Sequence, residues 1–248
     1  MKRRLISLFS GAGGMDIGFH AAGFSTAVAV EQDPSCCNTL RLNMPDTPII
    51  EGDITSISTQ AILNAANANP LEIDLVIGGP PCQSFSLAGK RMGMDDPRGM
   101  LVLEFLRVVR EALPKCFVME NVKGMINWSN GKALEAIMTE ATQTINYAGK
   151  QYRYTVSYQV LNAAEFGAPQ SRERVFVVGN RLGKIFEFPE PTHSSINKVS
   201  QTDLFGKQLA PYTTVQDAIG ALPPATPPSL TALRVSQTIK DRIKNHGY

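Results

Sequence analysis

The run Gly78-Gly79-Pro80-Pro81-Cys82-Gln83-Ser84-Phe85-Ser86 sets a thiol just beyond an apolar stretch, Leu75–Ile77, with two prolines fixing the approach of the chain. A cysteine past the end of a strand is open to a substrate, and its thiolate is a strong carbon nucleophile. Cys36, Cys37 and Cys116 read instead as small buried hydrophobes. A second cluster, Phe9-Ser10-Gly11-Ala12-Gly13-Gly14-Met15-Asp16, forms a glycine turn opening a helix, where backbone approaches a ligand closely. Asp16 stands where a dinucleotide-binding turn of the G-x-G-x-x-G type has glycine, which favours an adenosyl ligand carrying a carboxylate over a pyrophosphate. Two acidic residues continue this theme: Glu31, a ribose acceptor at the end of the next strand, and Asp53 of Gly52-Asp53-Ile54, an acceptor for an adenine amino group.

Such groups need a scaffold that brings strand ends together. Short apolar runs predict strands at Leu5–Phe9, Ser25–Val30, Leu75–Ile77, Cys116–Met119, Tyr152–Leu161 and Val175–Val178. Amphipathic runs predict helices at Asp16–Ala22, Pro34–Asn43, Met100–Ala112 and Lys132–Tyr147. The alternation gives an α/β, doubly wound sheet, closed by an antiparallel pair because no helix separates the last two strands. Domain boundaries fall at 1–180 for this sheet and 181–248 for a peripheral segment rich in proline, with short helices near Val215–Ala221 and Ser236–Lys244.

Composition restricts the function classes. A chain that is 43% hydrophobic and 19% charged builds a core, and a net charge of +2 is too small for bulk attraction to a polyanion, so a nucleic acid must be held by placed residues. Residues 1–150 are slightly acidic and 151–248 slightly basic. Four cysteines without Cys-x-x-Cys spacing predict neither a disulfide framework nor a metal site, and no run reaches a membrane span. A reduced, cytoplasmic protein without membrane contact is expected.

Phe9–Gly14, Gly79-Pro80-Pro81-Cys82-Gln83, Glu120-Asn121-Val122 and Gln170-Ser171-Arg172-Glu173-Arg174 occur in the order seen in DNA (cytosine-5) methyltransferases, and from Leu5 to Asn180 the chain resembles their catalytic part. The resemblance implies a Rossmann-like sheet, S-adenosylmethionine as methyl donor and a flipped-out cytosine in double-stranded DNA as acceptor. Carbon 5 of cytosine is a poor nucleophile, so a thiolate must first add at carbon 6, the role that falls to Cys82. Glu120 would hydrogen-bond ring N3 and the exocyclic amine, its pKa raised by the apolar strand before it. By resemblance Arg174 holds the cytosine carbonyl, Arg172 supports the cysteine site and Gln170 fixes their turn. Phe9, Gly11, Gly13, Gly14, Glu31, Asp53, Ile54, Pro80 and Leu101 form the donor site, although Gln32 replaces the aromatic that often follows the ribose acceptor. The polar, glycine-bearing segment from Ser84 to Gly99 resembles the loop that closes over DNA, with Gln83, Ser84, Ser86, Lys90, Arg91, Arg98 and Gln170 toward the nucleic acid.

Complete members carry a target-recognition domain and two further motifs that are not found before Tyr248. The expectation is the large subunit of a split, two-chain modification enzyme whose second chain supplies them; a truncated single-chain enzyme and an RNA cytosine-5 methyltransferase are the alternatives. A nicotinamide oxidoreductase, suggested by fold alone, is opposed by the Gly11–Gly14 spacing and by Pro80-Pro81-Cys82.

Overall fold

The computed structural model describes residues 3–81, 100–195, 209–222, 233–234 and 237–238. Seven strands form one sheet: β1 (Arg3–Leu8), β2 (Phe24–Glu31), β3 (Ile49–Glu51), β4 (Leu75–Gly78), β5 (Cys116–Val122), β8 (Thr155–Asn162) and β9 (Glu173–Asn180), in the order β3-β2-β1-β4-β5-β9-β8. The first five are parallel, while β9 runs antiparallel to both β5 and β8. The predicted pair therefore closes the sheet, with the reversed strand one place in from the edge. After β1 the chain winds outward through β2 and β3, then returns to place β4 on the other side of β1. This reversal opens a crevice at the carboxyl ends of β1 and β4, the usual ligand position in such sheets.

One face is thickly covered. Helices α3 (Thr59–Ala65), α4 (Met100–Ala112) and α6 (Lys132–Ala141) pack Ile62, Phe105, Leu106, Val109, Leu134 and Ile137 against Ile6, Leu8, Val76, Phe117 and Met119. A Cβ at Gly78 would lie 2.6 Å from the Leu8 carbonyl oxygen, so glycine is what lets β1, β4 and the Phe105 ring meet there. On the other face α1 (Gly14–Ala21) lays Met15 and Phe19 over a smaller core of Leu5, Leu75 and Ile77. Beyond α1 that face opens into an apolar groove of about 630 Å³ that runs along Cys116, Val118, Phe176 and Val178.

Several boundaries differ from the sequence-based expectation. The helix predicted over Lys132–Tyr147 stops at Ala141, and Ile145–Tyr147 (β6) instead pairs with Lys150–Tyr152 (β7). The turn between them has positive φ at both Ala148 (48°) and Gly149 (75°), the geometry that matches strand twist in a two-residue hairpin. The strand predicted over Tyr152–Leu161 is thereby split; Tyr154 sits between the pieces, buried, with its hydroxyl donating to the Pro114 carbonyl at 2.7 Å. Helix α3 was not anticipated: two buried apolar residues in seven leave little periodicity, and the Ser58 cap accepting from Ala61 N at 3.2 Å is the main local signal. Helix α2 (Pro34–Asn43) has its predicted bounds, with Asp33 capping and Pro34 in the first turn.

Past β9, the stretch 182–192 is neither helix nor strand, and His193–Ser194 (β10) pairs with Ala210–Pro211 (β11). Thr192 N donates to the Glu165 carbonyl at 2.9 Å, tying this part to the turn before β9. Helix α7 (Val215–Ile219) starts with a Thr214–Asp217 capping box. Of the helix predicted near Ser236–Lys244 only 237–238 are described, and they are helical. Among the described residues no helix is long and apolar enough to cross a membrane, and no cluster of three or more His, Cys, Asp or Glu could hold a metal ion.

Candidate active site

The first half of the site lies over the ends of β1, β2 and β3. Phe9, Val30, Glu31, Gln32, Gly52, Asp53, Ile54, Gly79, Pro81 and Leu101 line a cleft of about 210 Å³. Phe9 takes a positive φ of 52°, unusual for a side-chain-bearing residue, and turns the chain into Gly11 (53°) and Gly13 (85°). A Cβ on Gly13 would come within 3.0 Å of Leu40 Cδ2, so the turn also needs glycine to seat against α2. Gly11, Gly13 and Gly14 shape the cleft without lining it.

Glu31 is held from three sides: its Oε2 accepts from Gly11 N at 2.7 Å, and its Oε1 from Gln32 N and Asp33 N at 2.8 and 2.9 Å. A carboxylate has roughly four acceptor positions, which leaves about one free for a hydroxyl in the cleft. Asp53 caps the short 3-10 turn Ile54–Ser56, accepting from Thr55 N at 2.9 Å, and Ile54 beneath it is buried. Leu101, in the first turn of α4, supplies a further apolar wall. With Phe9 and Ile54 these walls suit a flat apolar ring, and the acidic rim offers acceptors for a hydroxyl and an amine.

Pro80 is buried and does not line the cleft; its neighbours Gly79 and Pro81 do.

The second half lies over β4, β5 and β9. Glu120 and the two arginines come together as expected: Arg174 Nε is 2.9 Å from Glu120 Oε1, and Arg172 Nη2 is 4.0 Å from the same oxygen. Arg174 is inside β9 rather than before it, and alternation puts it on the same sheet face as Arg172. The Glu120 side chain is 22% exposed and shares its site with a guanidinium, so it is only partly buried beyond the apolar strand that leads to it. A Cβ on Gly79 would stand 3.2 Å from Glu120 Oε2, which sets this carboxyl directly beside the run leading to Cys82.

Gln170 does not fix the arginine turn. It is exposed, and Asn162 does that work: its Oδ1 accepts from Ala164 N at 3.2 Å and Arg172 N at 3.0 Å. Asn162 could have been read only from its position at a strand end, where Asn caps a following turn. Two more residues carried no assigned role. Asp16, fully buried, accepts from Ser7 Oγ at 2.8 Å and Thr26 Oγ1 at 2.7 Å and so locks α1 to β1 and β2. Asn121, also buried, donates from Nδ2 to the Pro80 carbonyl at 3.1 Å.

Cys82, Gln83, Ser84, Ser86, Lys90, Arg91 and Arg98, with the rest of the segment from Ser84 to Gly99, lie outside the described residues. Of the other cysteines Cys37 is buried, while Cys36 and Cys116 are only half-buried. Burial pushes the thiols of all three up, which disfavours thiolate at each.

The model of the C-5 cytosine-specific DNA methylase family matches residues 3–245. The chain belongs to this family. It is 86% identical over 248 residues, the whole of both chains, to the Type II methyltransferase M.AquIA of Picosynechococcus sp.. It is 42% identical to the Type II methyltransferase M1.HphI of Haemophilus parahaemolyticus, of whose length it spans 59%. Among solved structures, a protein described as a DNA modification methyltransferase encoded within an E. coli prophage superposes with a TM-score of 0.67 at 29% identity, over 90% of this chain and 56% of the other. S. pombe Dnmt2 shares the fold with a TM-score of 0.55 at 23% identity, over 80% and 55% of the two chains. This cytosine-5 DNA methyltransferase therefore has the Rossmann-like sheet of S-adenosylmethionine-dependent methyltransferases.

Proposed function

We propose that the chain transfers a methyl group from S-adenosylmethionine to carbon 5 of a flipped-out cytosine in double-stranded DNA, as the catalytic subunit of a two-chain modification enzyme of a Type II restriction-modification system. The observation that carries the chemistry is Glu120, ion-paired to Arg174 and lying beside Gly79, three residues before Cys82. A pyrimidine ring set over this group meets an acid for N3 and the amine and a guanidinium for the carbonyl. Arg174 has five N–H donors, of which the ion pair and the Glu173 carbonyl use two. Cys82 then adds through sulfur to carbon 6, the ring electrons move to carbon 5, and that carbon takes the methyl group; loss of the carbon 5 proton and of the thiolate restores the ring.

In the donor cleft Glu31 takes a ribose hydroxyl, Asp53 the adenine amine, and Phe9, Ile54 and Leu101 pack the ring. The bound donor supplies an activated methyl group. Lys90, Arg91 and Arg98 meet phosphates, and Gln83, Ser84 and Ser86 the target nucleotide. Residues 181–248 lead from the catalytic sheet toward the recognition part.

Two facts support a second chain. Doubly wound sheets are covered on both faces, yet on the α1 side β5 and β9 border an open apolar groove rimmed by Leu182, Ile185 and Phe186, which are 57%, 79% and 41% exposed. About two-fifths of M1.HphI lies outside the part that this chain spans.

The test is transfer of labelled methyl from S-adenosylmethionine to duplex DNA and to transfer RNA, by this chain alone and with the product of the neighbouring reading frame. Label in DNA only when both chains are present supports the whole reading. Activity by this chain alone removes the second subunit, and label in RNA alone removes the substrate.

A further inference from the structure

The walls of the donor cleft are carried by elements of unequal firmness. Leu101 stands on α4, whose Val102, Phe105, Leu106 and Val109 are buried in the main core. Asp53 and Ile54 follow β3, which has three residues and lies at the edge of the sheet, so no further strand braces it from outside. The 3-10 turn after it closes with two backbone bonds, Ser56 N to the Asp53 carbonyl at 2.9 Å and Ile57 N to the Ile54 carbonyl at 3.2 Å. A single 3-10 turn has poor hydrogen-bond geometry and gains from an outside anchor.

Arg107, on α4 almost two turns after Leu101, reaches across to this turn. All five of its N–H groups are engaged. Nε donates to Glu104 Oε2 at 2.8 Å, Nη1 to Thr59 Oγ1 at 2.9 Å and to Glu111 Oε2 at 3.4 Å, and Nη2 to the Ile54 and Ile57 carbonyls at 3.2 and 3.0 Å. The guanidinium is planar, so Glu104 on one edge sets the direction in which the other edge points. Ile54 and Ile57 bracket the turn and Thr59 opens α3, so one side chain ties the whole crossover after β3 to the helix that carries Leu101. Arg107 itself does not line the cleft.

We infer that Arg107 is a positioning residue for the methyl donor: it holds the wall formed by Asp53 and Ile54 at a set distance from Leu101 and makes no contact with the donor itself. The inference rests on the reading of this cleft as the adenine end of the S-adenosylmethionine site, with Asp53 accepting the adenine amine, and it names the group that sets that acceptor. Recognition by a single hydrogen bond tolerates little displacement, so a loosened turn should weaken binding and also blur the distinction between an amine and a carbonyl at carbon 6 of the purine.

Arg107→Met keeps an unbranched apolar stem and removes every donor, whereas Arg107→Lys keeps the charge with three donors at one point. Binding of S-adenosylhomocysteine, and of its counterpart with inosine in place of adenosine, is measured by calorimetry on the preparation active on duplex DNA, beside the single-turnover rate at saturating S-adenosylmethionine. Arg107→Met is expected to bind S-adenosylhomocysteine about 10-fold more weakly, with Arg107→Lys between it and wild type, and a wild-type preference for adenosine of about 10-fold or more should shrink to about threefold or less. The saturated rate should stay within about threefold. If Arg107→Met does not fold, Arg107→Lys is judged alone and should lose about threefold in both affinity and preference. Affinity and preference both within about twofold of wild type would overturn the inference, as would a saturated rate that falls in parallel with affinity, or weaker binding with the preference intact, the marks of general damage. Asp53→Ala separates the two claims: it should remove the preference by itself. If it leaves the preference whole, or the wild type has none, the role of Asp53 fails, and Arg107 is then decided by affinity against saturated rate alone.

Discussion

The two halves of the site are built in opposite ways. On the donor side, Glu31 is fixed by the backbone N–H groups of Gln32 and Asp33 beside it and of Gly11 in the turn after β1, and Asp53 by that of Thr55, so each acid is set by backbone rather than by another charged side chain. On the base side, Glu120, Arg172 and Arg174 are set by one another, across strands that are distant in sequence. Donor groups held by backbone should be separable from one another and from the chemistry. Base-side groups that hold each other should fail together. The difference also says where damage will show: as affinity on one side and as rate on the other.

The largest effect expected is from Cys82→Ser, which should lower methyl transfer by at least about 1000-fold through loss of the nucleophile while leaving donor affinity within about twofold. Equilibrium binding of S-adenosylmethionine beside a single-turnover assay checks both. Next, Glu120→Gln should reduce the rate about 100-fold or more, as removal of a general acid does. Combined with Arg174→Ala it should cost much less than the sum of the two single changes, since each has already broken the same ion pair. Additive losses in that cycle would break the contrast between the halves.

Glu31→Ala should act the other way, weakening donor binding about 10-fold through a lost charged hydrogen bond and leaving the saturated rate nearly unchanged. A large rate defect at normal affinity would remove Glu31 from the donor site.

The smallest effect belongs to the scaffold under both halves. Burial alone would push the Asp74 carboxyl up, but the Lys115 ammonium at 2.7 Å and the Arg4 amide at 2.8 Å outweigh it and hold the group below its ordinary 3.8. A lowered folded value means stability that is full above about pH 4 and lost as pH falls through that lowered value. Asp74→Asn should therefore cost about 1 kcal/mol at pH 7, a modest figure because Lys115 is half exposed, and nothing once Asp74 is protonated in the wild type. Urea midpoints at pH 7 and below pH 3 check this.

The same contrast explains what could be read from sequence. Glu31, Asp53 and the Phe9–Gly14 turn follow directly from strand ends and glycine spacing, because backbone at those places sets them. Glu120, Arg172 and Arg174 were reached only through ordered motifs, since nothing near Glu120 announces a guanidinium more than fifty residues later. Asn121 stood in one of those motifs without a role, as its partner is a carbonyl and carbonyls leave no mark in a sequence. Gln170 stands out in the sequence because it belongs to a motif, whereas Asn162, whose strand-end position lets it tie Ala164 and Arg172, belongs to none. In the fold, the central strands were legible from continuous apolar runs. The β6–β7 hairpin was not, because Ile145 and Tyr147 fit the helical repeat of α6 and only Ala148-Gly149 betrays the turn.

The most direct test of the central claim is the chemical position of the transferred methyl. Duplex DNA treated with both chains and S-adenosylmethionine, then digested to nucleosides and resolved by mass spectrometry, should contain 5-methylcytosine with the wild type and none with Cys82→Ser. Methyl on the exocyclic nitrogen of cytosine, or 5-methylcytosine formed equally well by Cys82→Ser, would contradict a covalent route through this thiol.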